Sequence, residues 1–319
     1  MGWSCVACLA LIAVGEAYAQ APAWPDRPIR MVVPFAAGGS SDVIARIVGA
    51  RMTDSFRQPV IIDTRPGAGT SIGNAVVARA NADGYTLLLA DTAFAASSSV
   101  LPNLPYDPIK DFSPVSLLGT SAQYLYSAIG RFKSAPQFLA AARAKPGTLS
   151  VASGGTGTTT HFMVELLKRA TSIDVVHVPY KGSAPALAEA AGGQVDAVFA
   201  SFASAAALVN AGKLQVLAIA AVRRHPSQPE VPTLTELGAK DLVADHWWGV
   251  IAPAGTPLPI ISKLNAELVR AVATNEVKER FPTLAVDPRS STPSEFARLV
   301  ANDIQRFGRI AREANIKAE

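Results

Sequence analysis

The feature that most constrains the fold is an apolar run that ends in a glycine-rich turn and continues into a helical pattern. Met31, Val32 and Val33 stand together without a charge, which is typical of a buried strand. Beyond the turn, apolar residues recur at the three- and four-residue spacing of one helix face: Ile44, Ile47, Val48, Met52 and Phe56. The turn therefore lies where a strand ends and a helix begins.

This turn has the chemistry of an anion site. Gly38 and Gly39 lack Cβ atoms, so the backbone can bend sharply and approach a ligand, and Ser40 or Ser41 can cap the helix. The free amides and the positive dipole end of the helix would hold a carboxylate without any arginine. An ordinary strand-to-helix connection with capping serines is the alternative interpretation.

Strand and helix patterns alternate along most of the chain. One series covers residues 29–90, and a second covers residues 149–221, after a loop rich in proline and aspartate at 101–114. Such alternation favours parallel sheets with helices on their faces, so the sequence predicts an α/β fold with two sheets. With 319 residues, 49% of them hydrophobic and 17% charged, the chain is long enough for two lobes.

The last part of the chain predicts helices without a sheet of their own. Helical patterns cover residues 259–274, 275–281 and 293–314, and they need an earlier lobe on which to bury their apolar sides. We therefore expect a discontinuous first lobe. The predicted division is lobe I at residues 24–122, lobe II at 123–222 and a return to lobe I at 223–319.

The N-terminus predicts export. Residues 6–14 are apolar, and Ala17-Tyr18-Ala19 fits a small-x-small cleavage site, although no lysine or arginine precedes the apolar stretch. A signal peptide at residues 1–19, cleaved near Ala19, would place the protein in the periplasm. Cys5 and Cys8 both lie in this segment, so the mature chain would have no disulfide. The net charge of +4 comes without a basic stripe, which argues against nucleic acid as a partner.

A second glycine turn, at residues 153–161, also follows a strand pattern and opens a helix pattern. Its hydroxyls and bare amides can donate hydrogen bonds and bring no cation. Two such turns facing each other across a cleft would hold an anionic ligand from both sides. The alternative is that the threonines cap the helix and the glycines only bend the chain.

The two turns resemble signatures of the Bug family, the solute receptors of tripartite tricarboxylate transporters. The matching segments occur in the family's order: residues 34–42 with Ala45 and Arg46, 65–69, 83–87, 153–161 with Glu165, and 178–182. The resemblance implies an exported two-lobe periplasmic-binding-protein fold, type II-like, in which each lobe is a mostly parallel sheet flanked by helices. It also implies that the lobes close on a small carboxylate and deliver it to inner-membrane permease subunits.

By this resemblance, the ligand site takes its residues from both turns. The expected positions are Phe35, Ala36, Ala37, Gly38, Gly39, Ser40 and Asp42 in the first turn, and Ser153, Gly155, Thr156, Gly157, Thr158 and His161 in the second. Asp91, Thr92 and Ser201 complete the predicted site. Asp42 can instead cap its helix, and His161 can orient its turn rather than act as a base.

Asp91 departs from the family's pattern, which often has an uncharged residue after the third strand. A buried carboxylate would repel an anionic ligand unless it meets an ammonium or a hydroxyl group. The identity of the ligand, including whether it is aromatic or an amino acid, therefore stays open. Phe94, Phe199 and Phe202 would shape the cleft if they line it, and core packing is the alternative for them.

Two motifs point to other functions. Residues 69–73 fit the nucleophile-elbow pattern of a serine hydrolase around Ser71, with Asp196 or Asp245 and then His246 in the right order, but a long loop precedes this serine. Residues 67–73 with Asp91 loosely fit a dinucleotide site, with a glycine spacing that is off by one. A scavenger or sensor without a permease is a third alternative. We expect no enzyme activity, cofactor or metal, because the histidines lack metal-ligand spacing, and we expect a monomer.

Overall fold

The computed structural model describes residues 24–225, 228–239 and 245–317. The predicted signal peptide and both cysteines therefore lie outside the described residues. Within the described ranges, no helix is both long enough and apolar enough to cross a bilayer.

The first part of the chain alternates strands and helices as the sequence predicts. Its elements are β1 (Ile29–Val33), α1 (Ser40–Phe56), β2 (Val60–Thr64), α2 (Ser71–Ala78), β3 (Thr86–Asp91) and α3 (Thr92–Ser97). A single 3-10 turn, Ala68–Thr70, precedes α2. The short helix α3 is not predicted by the sequence, because six residues are too few for a helical period to be recognised.

The second part repeats this alternation after one long strand. Its elements are β4 (Phe112–Ala128), α4 (Ala135–Ala144), β5 (Ser150–Ser153), α5 (Thr159–Thr171), β6 (Val176–Pro179), α6 (Ser183–Ala191), β7 (Ala197–Ser201), α7 (Phe202–Asn210) and β8 (Leu214–Ala220). The chain then returns through β9 (Asp245–Pro253), α8 (Leu258–Ala273), α9 (Asn275–Thr283), β10 (Asp287–Pro288) and α10 (Pro293–Ala314).

The strands form two mixed sheets joined by β4. In the first sheet β1 is parallel to β2 and β3, and in the second β5 is parallel to β6 and β7. Residues 112–122 of β4 pair antiparallel with β9, whereas residues 123–128 pair antiparallel with β7 and β8. The predicted α/β fold is confirmed, and antiparallel β4 and β9 are added to its parallel strands. The lobe boundaries at the residue numbers given above stay a prediction.

The C-terminal helices bury their apolar sides on the first sheet. Leu264 and Leu268 of α8 pack in one cluster with Met31 of β1, and Phe296 of α10 packs on the opposite face with Trp247 of β9. The Phe296 and Trp247 rings meet edge to face at 5.2 Å. A Cβ added to Gly249 would lie 2.1 Å from Phe296 Cζ, so this ring reaches the sheet only because the residue beneath it is glycine.

Candidate functional site

The two glycine turns have matching backbone geometry. Gly38 and Gly157 both have left-handed φ angles, +83° and +79°. The next residues, Gly39 and Thr158, are the N-caps of α1 and α5 with φ of −76° in both and ψ of 168° and 165°. The β1–α1 and β5–α5 connections are therefore built in the same way, one in each sheet.

A side chain four residues further on holds each turn in place. The amide of Gly38 donates to Asp42 Oδ2 at 2.9 Å, and the amide of Gly157 donates to His161 Nδ1 at 3.2 Å. Asp42 also forms an ion pair with Arg46 at 2.9 Å. Asp42 and His161 are buried and turned back onto their own turns, so both act on the backbone of the turn.

A cavity lies between the two turns. It is lined by residues from both sheets: Phe35, Gly39, Ser40, Ser41, Asp91, Ala93, Gln123, Gly154, Thr158, Thr159, Thr160, Ser183, Ser201 and His246. Six of the predicted residues are among them: Phe35, Gly39, Ser40, Asp91, Thr158 and Ser201. The two helix starts therefore share one cavity.

The other predicted residues do not line this cavity. They are Ala36, Ala37, Gly38, Asp42, Thr92, Ser153, Gly155, Thr156, Gly157 and His161. Gly155 and Thr156 instead line an adjoining cavity, which shares Phe35 and Gly154 with the first. Thr92 Oγ1 accepts a hydrogen bond from the amide of Trp247 at 2.8 Å, so it fixes the start of β9 beside α3.

Several lining residues were not predicted from the sequence. They are Ser41, Ala93, Gln123, Gly154, Thr159, Thr160, Ser183 and His246. Thr159 and Thr160 belong to the second turn, so the motif itself could have included them. Gln123 and His246 lie inside strands with no local motif, and only the pairing of β4 with β9, β7 and β8 brings them to the cavity.

The expectation of bare amides in the second turn is wrong for most of the turn. The amide of Gly154 donates to Thr160 Oγ1 at 2.8 Å, that of Gly155 to Ser153 Oγ at 3.1 Å and that of Thr158 to the Gly155 carbonyl at 3.1 Å. The turn satisfies itself because its hydroxyls are close in sequence to its amides. Donors for a ligand are left at the start of α5, where amides lack an intrahelical acceptor.

Direct contacts join the two sides of the cleft near the turns. The amide of Ser40 donates to Ser204 Oγ of α7 at 2.8 Å, and the amide of Ala36 donates to the Lys181 carbonyl at 3.2 Å. A Cβ added to Gly69 would lie 2.4 Å from the Thr156 carbonyl oxygen, so these backbones also touch. The first turn therefore gives part of its donor capacity to the opposite side of the cleft.

Asp91 gives the cavity its electrostatic character. Its carboxylate accepts hydrogen bonds from Ser41 Oγ and the amide of Ala93, both at 2.8 Å, and Oδ2 lies 3.7 Å from His246 Nε2. Burial raises the pKa of Asp91 to about 7 and lowers the pKa of His246 to about 3. Among the described residues that line the cavity there is no lysine or arginine. A neutral histidine thus faces a carboxyl group that titrates near neutral pH.

The three aromatic side chains that would shape the cleft if they lined it pack elsewhere. Phe94 packs edge to face on Phe112 at 5.0 Å, Phe199 is fully buried in the second sheet's core, and Phe202 packs on Tyr124 at 5.9 Å. None of the three lines the cavity, and Phe35 is its aromatic residue. Their alternative reading as core residues is therefore the one that the structure supports.

The structure does not assemble a hydrolase triad around Ser71. Ser71 begins α2 and is absent from the cavity that His246 lines. The Asp196 carboxylate accepts hydrogen bonds from Arg131 and from the amide of Ser150 at 2.8 Å. Gly67 and Gly69 of the loose dinucleotide motif line the adjoining cavity, whereas Asp91 lines the first, so that motif is divided as well.

Three potential metal ligands that are far apart in the sequence lie together beside the second turn. Ligand atoms of His161, Glu165 and His177 lie within 4.8 Å of one another. The two imidazole rings are stacked at 4.3 Å with an interplanar angle of 17°. Imidazole binds a metal in the plane of its ring, so stacked parallel rings do not direct their lone pairs to one point. His177 Nε2 also lies 2.7 Å from Ser153 Oγ, which ties the ring to β5.

The fold and the cavity indicate a class of protein, and comparison with known proteins gives the family. Two mixed α/β sheets that enclose a polar cavity between matching helix starts define a two-lobe solute-binding protein. The chain belongs to the family described as the tripartite tricarboxylate transporter family receptor, TctC, whose model matches residues 44–316. It is therefore a Bug-type receptor, and the proteins of this family are solute-binding receptors and not enzymes.

Relatives cover nearly the whole chain. BugT of Bordetella pertussis is 36% identical over 93% of this chain and 92% of its own length. A "UPF0065 protein in tcbD-tcbE intergenic region" of Pseudomonas sp. (strain P51) is 38% identical over 93% and 89%.

Solved structures agree with this assignment. The periplasmic binding protein BugD matches with a TM-score of 0.88 and 30% identity over 93% of this chain and all of its own. Rpa4515 of R. palustris with adipate gives a TM-score of 0.88 at 30% identity, covering 92% and 99% of the two chains. MatC of Rhodopseudomonas palustris with bound malate gives 0.86 at 34% identity, covering 90% and 99%. The predicted two-lobe binding-protein fold is thus confirmed.

Proposed function

We propose that this chain is a periplasmic receptor that captures a small carboxylate between its lobes and delivers it to the permease of a tripartite transporter. The observation that carries the proposal is the cavity shared by two geometrically matched helix starts, at Ser40 and Thr159. Helix starts favour anions through their free amides and their dipole. The related structures named with adipate and with malate hold small carboxylates.

Lobe closure is the proposed mechanism. The predicted lobes are residues 24–122 with 223–319, and residues 123–222, so the chain passes from one lobe to the other within β4 and returns after β8. The hydrogen bonds from Ser40 to Ser204 and from Ala36 to Lys181 form when the turns meet. A ligand held by both helix starts stabilises this closed form in proportion to its differential affinity for it. Export through a signal peptide cleaved near Ala19, and a monomeric state, belong to the same proposal.

The experiment is a thermal-shift screen of the mature protein with mono- and dicarboxylates, followed by calorimetry of each hit. A ligand at one hundred times its Kd stabilises the folded form by about 2.7 kcal/mol. At least one carboxylate should raise the melting temperature, and its uncharged amide analogue should not. A protein that responds to no carboxylate would contradict the proposal. Uptake of the hit by vesicles that contain the permease, with and without the receptor, tests delivery.

A further inference from the structure

Three hydrogen-bond acceptors line the cavity where the two sheets meet at β4. Asp91 ends β3 and His246 is the second residue of β9, both in the first sheet, whereas Gln123 begins the part of β4 that pairs with β7 and β8 in the second. All three line the cavity, although they are far apart in the sequence. The neighbouring strands β3, β9 and β4 thus each contribute one polar side chain to the same wall.

Two of these acceptors have no hydrogen-bond partner in the part of the chain that the structure describes. Gln123 is 2% exposed and its Oε1 makes no hydrogen bond, and His246 is 5% exposed and its Nδ1 makes none. Buried polar atoms are almost always paired, because a buried group without a partner loses the hydrogen bonds that water would supply. A bound ligand that brings donors to this wall would supply the missing partners.

The charge of the wall selects the kind of donor. Asp91 is the single carboxylate among the described residues lining the cavity, and no lysine or arginine there offsets it. A second carboxylate placed beside it would add a like charge in a buried site. A protonated amine carries three donors and a positive charge, which matches three acceptors of which one is a carboxylate.

We propose that the ligand carries a protonated amine as well as a carboxylate, and that Asp91, Gln123 and His246 bind the amine. This inference rests on the proposed function, since the carboxylate of the same ligand lies at the helix starts of α1 and α5. Thr159 Oγ1, which is buried and unpaired, is a donor on that side of the cavity. The receptor then binds zwitterions of the amino-acid class in preference to simple dicarboxylates.

Proton exchange distinguishes an amine from an anion at this wall. Burial raises the pKa of Asp91 to about 7, so part of the ligand-free protein carries the proton at pH 6.5. A cation beside Asp91 favours the ionised form and releases that proton, whereas an anion favours the protonated form and takes a proton up. His246 is the titratable neighbour within ion-pair distance among the described residues, and burial lowers its pKa to about 3, so it stays neutral at pH 6.5.

The test is titration calorimetry of the mature receptor with matched pairs: glutamate and glutarate, aspartate and succinate, phenylalanine and 3-phenylpropanoate. Each pair is measured at pH 6.5 in two buffers of different ionisation enthalpy. The amine-bearing member should bind at least 10-fold more tightly and release a proton. Asp91→Asn should weaken its binding by about 10- to 100-fold, since a hydrogen bond to a charged group is lost.

Two controls separate recognition from folding. Asparagine keeps an oxygen that can cap α3 in place of Asp91, so thermal unfolding of the ligand-free variant should stay cooperative. Asp303→Asn changes another buried carboxylate, which accepts from Trp247 Nε1 at 2.7 Å and does not line the cavity, and it should leave affinity unchanged.

Tighter binding of the deaminated members, with proton uptake and with improved affinity in Asp91→Asn, would overturn this inference and leave carboxylate capture intact. Failure of every member of every pair to bind would overturn both proposals.

Discussion

The hydroxyl of Ser204 accepts a hydrogen bond from the backbone amide of Ser40 at 2.8 Å, which joins the first residue of α1 to α7 across the cleft. The amide is at a helix start, where no intrahelical acceptor is available, so Ser204 caps a helix that belongs to the opposite sheet. One amide thus serves closure of the cleft, while its neighbours in the same helix turn face the cavity.

Ser204→Ala tests this contact. The substitution leaves a buried amide without its partner in the closed form, so we expect ligand affinity to fall about fivefold, equivalent to about 1 kcal/mol. Calorimetry with the best carboxylate gives the affinity, and the melting temperature of the ligand-free protein should change little. Ser98→Ala is the matched control. The Ser98 hydroxyl donates to the carbonyl oxygen of Ala95 in the preceding helix α3, at 2.7 Å. Equal affinities for all three proteins would contradict the role in closure.

The pH dependence of stability should report the burial of Asp91. Its pKa is about 7 in the folded protein and near 4 when unfolded, so ionisation favours the unfolded chain as pH rises from about 4 to 7. Relative to Asp91→Asn, the ligand-free wild type should lose up to about 4 kcal/mol of unfolding free energy across this range. Urea unfolding at several pH values measures the difference.

His246 acts in the opposite direction. Burial lowers its pKa to about 3, so its contribution to stability is present above the unfolded value near 6.5 and is lost as pH falls. It is present in both proteins. Parallel curves for wild type and Asp91→Asn between pH 4 and 7 would show that Asp91 is not held in a desolvated site.

Gly249→Ala should be strongly destabilising. The added Cβ would lie 2.1 Å from Phe296 Cζ and 2.8 Å from the Ser116 carbonyl oxygen, so the ring and the neighbouring strand must both move. Overpacking of this kind costs about 1–3 kcal/mol or more, measured by urea unfolding. Gly192→Ala is the control, because its φ is −80° and its nearest contact is an ordinary 3.5 Å, so the change should be within about 0.5 kcal/mol.

Ser71→Ala should leave ligand binding unchanged. Ser71 begins α2 and does not line the cavity, so its hydroxyl has no part in the proposed site. The thermal shift produced by the best carboxylate should match that of the wild type. Loss of a hydrolytic turnover in this variant, with ester substrates, would instead favour the hydrolase hypothesis.

Local patterns predicted the secondary structure and the two turns well. The predicted helix at residues 259–274 agrees with α8 to within one residue at each end, and the predicted terminal helix at 293–314 coincides with α10. α10 begins with a capping box between Thr292 and Glu295, a signal that is complete within four residues. Such features depend on neighbours in the sequence, so the sequence is sufficient to predict them.

The site was predicted only in part, for a physical reason. Gly39, Ser40 and Thr158 lie at helix starts, which the glycine turns indicate, whereas Asp42 and His161 turn back onto their own turns. Which amides stay free depends on how hydroxyls rotate within the folded turn, and a sequence pattern does not contain that information.

The sequence by itself determined the alternation of strands and helices, the two glycine turns and the family to which the chain belongs, since each depends on residues that are neighbours or on short motifs. The tertiary structure decided that β4 exchanges partners between residues 122 and 123, and that Gln123 and His246 therefore meet Asp91. Strand register and pairing are set by contacts between residues that are far apart in the sequence. The partner strand and the packing on each face of the sheet decide which side chains of a strand point inward.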